Sequence, residues 1–518
     1  MKKIKVYNYY LLVASISLLL LSCNDDYLKP ANINTLTEQS FWLTKDHATQ
    51  GVIAAYSAGL QGWNGSKWTF IEEMMVAFTY KSDENWRRAP RGYGATIVNF
   101  TYGTDVSSFT NIWRSYYAGI ARANSVIERV PGIESMEQAD KDGIVGEAKF
   151  LRAFFHFQLQ HYFKSIPLVL EVPGSREDFA VSQSTRAAVI AQVIQDLEDA
   201  YNLLPSSRPD SELGRVTKWT AKAMLGKTHL FEENWSEAAT AFQDVVNNSG
   251  HALNANYEDN FNGTIKNNNT NETLFAIQWS GDLAGGNDER SAIDYEVTPG
   301  ALGGWSLYVP SEWLYQEYMK DTTATGEPSK RVFESIFFDH PNSSMNRVKN
   351  RGSATWDEVA DENRLVNERP AWWKKYAYDD DDVNYTGFSQ PVIRFSDVLL
   401  MYAEALNEDG NTPQAIIEVN KVRTRAGSVL LSGLSQSELR QHIRHHERPI
   451  ELAFEHGIRW MDTYRWAEGS TAKEPLKQTL TAHGKQWVEN FVEGKHNYYP
   501  IPFFDISKNP NLVQLDNY

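Results

Sequence analysis

Residues 394–427 read RFSDVLLMYAEALNEDGNTPQAIIEVNKVRTRAG, and this stretch indicates the fold class. Its apolar residues recur with a spacing near 3.6 over 395–408 and again over 412–426, which predicts two amphipathic helices. Gly410 lies between them, and glycine commonly ends a helix. Small residues in both segments would let two antiparallel helices approach closely. The stretch therefore predicts a helical hairpin.

A second hairpin is predicted over 217–232 and 235–248. Its small and apolar residues have the same spacing as those of the first hairpin, and both sets resemble the pattern of tetratricopeptide repeats. The residues concerned are Leu225, Gly226, Ala238 and Phe242 in one hairpin and Ala403, Leu406, Ala415 and Val419 in the other. Two generic hairpins remain the alternative, and either reading gives a stack of helices. Further helical periodicity covers 109–130, 143–163, 185–204 and 436–466.

The region between the two hairpins has a different composition. Residues 250–390 are rich in Asn, Gly, Asp and aromatic side chains, with a weak strand signal at Thr273–Trp279. A long irregular insertion in a helical protein is often its functional part. We therefore predict a mainly α fold: a tetratricopeptide-like helical-repeat scaffold with a large, irregular, loop-rich insertion and minor β structure.

Composition excludes several classes of protein. The chain has 518 residues, with 50 Lys and Arg against 66 Asp and Glu, a net charge of −16. The acidic balance argues against a nucleic-acid binder. The aromatic content of 13% argues against global disorder. One cysteine excludes a disulfide scaffold and any Cys-rich metal site.

The N-terminus is typical of a targeting segment. Three lysines precede an apolar run at 9–21, which is too short to span a membrane but suits a signal peptide. The following Leu21-Ser22-Cys23 resembles a bacterial lipobox, which implies a signal peptide over 1–22 and acylation of Cys23. Residues 23–38 would then form a lipidated tether. An ordinary signal peptide followed by a chance cysteine is the alternative.

Five further segments resemble the SusD/RagB family of nutrient-binding lipoproteins of Bacteroidetes, and Asn24-Asp25-Asp26 resembles a surface-export signal of such lipoproteins. The segments are Gly146–Phe157 with Ile166-Pro167-Leu168, Gly214–Thr217, Arg394–Gly427, Glu447–Leu452 with Arg459–Trp466, and Tyr499–Pro502 with Asn509–Leu512. Each is weak alone, but their order along the chain makes the resemblance specific. Pro449 departs from the family pattern and suits a first helical turn.

The resemblance implies a function. The chain would be a surface-exposed lipoprotein, anchored by lipid in the outer membrane. It would bind an oligosaccharide, a polysaccharide or another nutrient oligomer and deliver it to a SusC-like TonB-dependent transporter as its lid. The resemblance implies binding without catalysis. We expect no cofactor, no metal ion among the ligand-binding residues and no nucleic-acid partner, and a structural calcium ion is left open. The implied regions are 39–250 and 391–518, both helical, and a ligand-facing insertion at 251–390. A surface glycoside hydrolase and a structural transporter subunit without its own ligand are the alternatives.

Several charged residues lie on apolar helix faces. These are Glu147, Arg152, Glu404, Arg423, Glu447, Arg448, Glu451 and Arg465. Buried charges must be paired, so we predict salt bridges between helices. The rival interpretation is a pair of catalytic carboxylates, as in glycoside hydrolases.

Two clusters have residue types that bind metals. His442, His445 and His446 have a spacing that permits chelation, but no HExxH motif is present, so we favour a charged surface cluster. The acidic run at 379–382 lacks the spacing of a calcium loop, which favours a solvated loop.

Two loops combine aromatic and polar residues, as sugar-binding sites do. Loop 79–102 contributes Asp83, Trp86, Arg87, Arg88 and Tyr93, and loop 281–313 contributes Tyr295, Trp305 and Tyr308. We predict that these residues contact the ligand. For Trp86 and Trp305, an exposed platform and core packing are both open. The adjacent Trp372 and Trp373 are expected to point apart, one inward and one outward.

Overall fold

The computed structural model describes residues 41–62, 79–87, 94–261, 269–279, 293–305, 307–346, 352–359, 370–377, 387 and 389–518. Three sets of predictions lie outside these residues: the signal peptide and tether with Cys23, the loop residues Arg88 and Tyr93, and the acidic run at 379–382. Among the described helices, none is both long and apolar enough to cross a membrane.

Helices dominate the described chain, which confirms the predicted fold class. Those before the insertion are α1 Lys45–Leu60, α2 Gly94–Val98, α3 Ser107–Arg129, α4 Gln138–Phe163, α5 Arg186–Leu203, α6 Lys218–Phe231 and α7 Trp235–Asn248. Those within it are α8 Ile293–Val297, α9 Glu312–Lys320 and α10 Lys330–Ser335. Those after it are α11 Phe395–Glu408, α12 Thr412–Ala426, α13 Gln436–His442, α14 Arg448–Glu451, α15 Ile458–Glu468, α16 Leu476–Ala482 and α17 Phe503–Lys508.

The long helices form one continuous stack. Helices α1, α3, α4, α5, α6 and α7 pack in this order, and α7 then packs against α11, which packs against α12. The two predicted hairpins, α6–α7 and α11–α12, are therefore neighbours in space although the insertion separates them in sequence. A Cβ at Gly226 would lie 2.7 Å from Cε1 of Phe242. The small residue is what allows α6 and α7 to approach this closely.

The predicted helical stretch 436–466 is interrupted. Helix α14 ends at Glu451 and α15 begins at Ile458. Between them Phe454 and Gly457 have positive φ angles of 61° and 68°, which cannot continue a right-handed helix. The sequence prediction of unbroken helix was wrong here.

Ten short strands are described, three before the insertion and seven within it or at its C-terminal border. They are β1 Asn85–Arg87, β2 Ile166–Pro167, β3 Gln183–Ser184, β4 Thr273–Ile277, β5 Tyr308–Pro310, β6 Ile336–Phe338, β7 Met345–Asn346, β8 Ser353–Ala354, β9 Ala371–Trp373 and β10 Gln390–Arg394. They form antiparallel pairs β1–β5, β2–β3, β4–β10, β6–β9 and β7–β8. The strand signal at Thr273–Trp279 is confirmed as β4. Because β4 near the start of the insertion pairs with β10 at its end, the two ends of the insertion lie side by side on the scaffold.

The predicted salt bridges between helices are confirmed. Arg465 Nη1 donates to Glu404 at 2.7 Å, and Arg448 donates to Asp397 at 2.8 Å. Glu451 lies within ion-pair distance of three arginines, Arg331, Arg394 and Arg425. The remaining predicted charges form ion pairs of Arg152 with Asp196, of Arg423 with Glu447, and of Glu147 with Arg208 and Arg215 in the segment between α5 and α6. Each buried charge on the apolar faces thus meets an opposite charge.

Candidate functional site

Residues 79–86 are buried, and the segment runs through turns and bends into strand β1. Asp83 is 1% exposed, and both its carboxylate oxygens accept hydrogen bonds from Arg459, each at 2.7 Å. His483 Nδ1 lies 2.6 Å from the same carboxylate, and the His483 ring stacks on Trp313 at 3.8 Å. Despite burial, the Arg459 charge holds the pKa of Asp83 well below its usual range. Asp83 is therefore an interior ion-pair partner.

The neighbouring Glu84 is also buried but lacks an arginine of its own. Its carboxylate accepts the backbone N–H of Phe454 at 2.9 Å and the hydroxyl of Ser82 at 3.3 Å. Burial raises the pKa of Glu84 to about 7, and the charge of Asp83 adds to the effect. Adjacent carboxyl groups thus have widely different pKa values.

Beyond Glu84 the segment becomes β1, whose Trp86 lies opposite Val309 of β5. The Trp86 side chain is 8% exposed and belongs to a small cluster that we term the satellite core. The satellite core consists of Trp86, Leu302, Val309, Phe337, Met345, Ala354, Val359 and Trp372. Of the two alternatives for Trp86, core packing is the one observed.

The prediction that one of Trp372 and Trp373 points outward was wrong. Both are buried, because β9 lies between two cores. Trp372 packs in the satellite core, whereas Trp373 packs in the main core and donates its indole N–H to Asn85 Oδ1 at 2.7 Å. The satellite core is therefore attached directly to the main core.

Trp305 is the predicted site residue that the structure exposes, with 42% of its surface accessible. It follows a helical turn at Gly300–Leu302 and the residues Gly303 and Gly304. Gly303 has a φ of 103°, and a Cβ at Gly304 would lie 2.1 Å from the carbonyl oxygen of Thr298. The two glycines permit the tight bend from which Trp305 projects.

A second indole lies on the adjoining turn. The turn at Trp356–Val359 packs against that at Gly300–Leu302, and half-buried Trp356 meets the Phe337 ring edge to face at 5.5 Å. The neighbouring Asp357 and Glu358 are exposed. We call Trp305, Trp356 and these two carboxylates, with the satellite core beneath them, the aromatic platform. Trp356 was not predicted as a site residue, although an aromatic residue followed by two carboxylates in the insertion is a pattern that can be seen in the sequence.

The other predicted site residues are distributed differently. Tyr308 is 1% exposed and packs on the Tyr80 ring at 5.2 Å, so its side chain is part of the main core. Arg87 lies in β1 and Tyr295 in α8, and only their backbone positions are described. Trp86 thus lies inside the satellite core, and Trp305 follows by three residues Leu302, which belongs to the same core. Contact with a ligand stays a prediction for each residue.

The histidine cluster is half-buried rather than on the surface as predicted. Nitrogen and oxygen atoms of His442, His446 and Glu447 lie within 4.8 Å of one another. Glu447 accepts hydrogen bonds from Arg331 at 2.7 Å and from Arg423 at 2.6 Å. Since these guanidinium groups already neutralise Glu447, its role here is that of an ion-pair partner.

Comparison with known proteins gives a consistent result over most of the chain. A model of the SusD family matches residues 271–518, and one described as starch-binding associating with outer membrane matches residues 31–230. A SusD-like protein P25 of Formosa agariphila is 26% identical over 432 residues, which cover 79% of each chain.

Two solved structures have the same fold. A SusD superfamily protein of Bacteroides vulgatus has a TM-score of 0.80 at 25% identity, covering 92% of this chain and 100% of its own. A SusD-like carbohydrate binding protein of Bacteroides fragilis has a TM-score of 0.73 at 26% identity, with the same coverage.

Proposed function

This chain belongs to the SusD family, and we propose that it is a cell-surface lipoprotein that binds a glycan on the aromatic platform and delivers it to a TonB-dependent transporter as the transporter's lid. The similarity to a carbohydrate binding protein of the same fold supports the ligand class. The proposal assigns no catalytic step to the protein.

Exposed Trp305 is the observation on which the binding site rests. A sugar ring has a C–H face that stacks on an indole and hydroxyl edges that hydrogen-bond to carboxylates. The platform offers both kinds of group, with Trp305 42% exposed and Asp357 and Glu358 on the adjoining turn. The satellite core fixes the two turns, so little ordering energy is lost when a ligand binds.

The N-terminal sequence supports the proposed delivery to a transporter. Acylation of Cys23 and a tether over 23–38 would keep the protein beside a barrel in the same membrane. Tethering raises the effective concentration of one partner near the other, so weak contacts suffice for a lid.

A surface glycoside hydrolase is the second candidate, because Asp83 and Glu84 are adjacent carboxyl groups with separated pKa values. Their surroundings favour a structural role. Both side chains are at most 2% exposed, and the Asp83 carboxylate is already bound to Arg459. A catalytic acid must reach the glycosidic oxygen, and neither group has an open surface in the described structure.

The test is a polysaccharide and oligosaccharide array on the mature chain, residues 24–518, with Trp305→Ala and Trp356→Ala. Phe503→Ala is the matched control, since Phe503 is 66% exposed and lies outside the platform. We expect one glycan class to bind, each tryptophan variant to weaken it at least tenfold, and the control to bind normally. Release of shortened sugars would favour the hydrolase, and the absence of any bound glycan would favour a structural subunit.

A further inference from the structure

A second concave site lies away from the aromatic platform. It is a cleft of about 850 Å³ between the C-terminal ends of α4, α6 and α15, the start of α5, and residues 513–517. Arg459, near the start of helix α15, binds Asp83, whereas Glu468 at the end of the helix lines the cleft. These two residues lie nine helical positions, about 14 Å, apart along α15.

The strongest charges of the cleft are paired within the protein. Arg186 forms an ion pair with Glu232, and Arg465 donates to Glu404 at 2.7 Å. Glu468 accepts the hydroxyl of Tyr498 at 3.0 Å. The exposed lining residues Lys164 and Asp516 carry opposite charges. The cleft therefore suits a neutral polar ligand better than a strongly ionic one.

One buried acceptor of the lining is unused. Gln160 is 1% exposed, and its amide NH₂ donates to the carbonyl oxygen of Lys164. Its Oε1 has no hydrogen-bond partner among the described atoms. An unsatisfied buried acceptor of this kind costs about 1–3 kcal/mol.

Lys164 follows α4 with a φ of 67° and a ψ of −49°, a conformation that is costly for a residue with a side chain. Its ammonium lies 5.0 Å from the centre of the Tyr498 ring. The amine therefore lies beside that ring, where it can donate to a ligand hydroxyl together with the hydroxyl, amide and carboxylate groups of the lining. These groups can hydrogen-bond the polar edges of a ligand.

We propose that this cleft is a second saccharide site, which binds a neutral sugar through its hydroxyl groups independently of the aromatic platform. The inference rests on the proposed function, because it takes the glycan ligand class from there. Its volume lies within the range usual for small-molecule sites, about 300–1,000 Å³. A glycan held at two places on one lipoprotein would bind more tightly than at either alone.

The experiment is calorimetric titration of the mature chain with maltoheptaose and, separately, laminarihexaose. Asn517→Trp fills the cleft from an exposed lining residue, and Lys164→Gly removes the amine while suiting the positive φ. Asn202→Trp makes the same change as the first variant on an exposed face of α5, outside the cleft. Each variant is made in the wild-type and Trp305→Ala backgrounds, and thermal unfolding confirms that it folds.

We expect Trp305→Ala to bind the oligosaccharide more weakly than the wild type, with a Kd of about 1 mM. Adding Asn517→Trp should remove that binding, Lys164→Gly should weaken it several-fold, and Asn202→Trp should leave it unchanged. Complete loss of binding in Trp305→Ala alone would overturn the cleft site and leave the proposed function intact. Binding that is lost with Asn517→Trp but unaffected by Trp305→Ala would support the cleft and overturn the platform. A wild-type chain that binds neither probe would overturn the cleft site, while the wider array decides the proposed function.

Discussion

Arg459 donates to both carboxylate oxygens of Asp83, each at 2.7 Å, and so joins a loop near the N-terminus to helix α15 across 376 residues of sequence. Both side chains are buried, and the pair lies directly before the strand that supports the satellite core. Removing one partner of a buried ion pair leaves the other charge unpaired. This pair therefore couples the aromatic platform to the helical scaffold.

Asp83→Asn should lower the free energy of unfolding by about 3–5 kcal/mol, because the guanidinium of Arg459 would lose its counter-charge in the interior. Urea unfolding of the mature chain measures the change. The control is Asp140→Asn, which removes a 2.8 Å ion pair with Lys45 on the surface. Exposed pairs contribute about 0–1 kcal/mol, so the control should unfold nearly as wild type. Equal effects of the two substitutions would refute the role of the Asp83–Arg459 pair.

Glu84 should give the stability a distinct pH dependence. Its pKa is about 7 in the folded chain, against an ordinary value of 4.5, so the folded state binds more protons between these values. Its contribution to stability is then complete below about pH 4.5 and is lost as the pH rises through 7. Glu84→Gln cannot ionise and should remove a fall on the order of 3 kcal/mol across this window.

The measurement is urea unfolding of wild type and Glu84→Gln at intervals from pH 4.5 to 8. The difference between the two proteins isolates Glu84 from histidines that titrate nearby, such as His483. A difference that does not vary with pH would contradict the raised pKa.

Gly226→Ala tests the close approach of α6 and α7. Alanine favours a helix over glycine by about 1 kcal/mol. At this position its Cβ would lie 2.7 Å from Phe242, and overpacking of that kind costs about 1–3 kcal/mol. We expect a net loss of stability by thermal unfolding. Gly143→Ala in α4 has no atom within 4 Å of the new Cβ and should be neutral or stabilising.

The scaffold was predictable because its signals are local. Apolar spacing marks α6, α7, α11 and α12 within windows of about fifteen residues. Charged residues on apolar helix faces were predicted to be buried and therefore paired, because a buried charge needs a partner of opposite charge. The identity of a partner was not predictable when it lay far away in sequence, as Arg459 does from Asp83.

The candidate site was harder to predict, because burial of a loop aromatic depends on packing that no local pattern records. Trp86 and Trp305 both lie in loops that combine aromatic and polar residues, yet Trp86 packs in the satellite core as part of β1, whereas Trp305 follows a bend at Gly303 and Gly304. The same difficulty explains why Trp356 was not predicted as a site residue, since it is an isolated aromatic residue between Thr355 and Asp357. The flanking glycines of Trp305 were a usable signal of an exposed turn.

Cys23→Ser tests the anchor independently of ligand binding. Without the thiol the lipobox cannot be acylated, so we expect loss of palmitate labelling and of the protein from the outer-membrane fraction. The signal peptide is unchanged by the substitution, which keeps export as an internal control. Membrane retention of the serine variant, at the wild-type level, would show that another contact anchors the chain.

Gly304→Ala tests whether the bend before Trp305 positions the platform. A Cβ at Gly304 would lie 2.1 Å from the backbone oxygen of Thr298. A backbone atom cannot move aside as easily as the end of a flexible side chain. The turn must therefore shift and move Trp305 relative to Trp356. We expect glycan binding on the array to fall at least tenfold, while the helical scaffold retains its circular dichroism. Gly103→Ala is the matched loop control, because the nearest atom to its Cβ is a side-chain oxygen of Asp105 at 3.4 Å. Unchanged binding by Gly304→Ala would mean that the ligand does not depend on the position of Trp305.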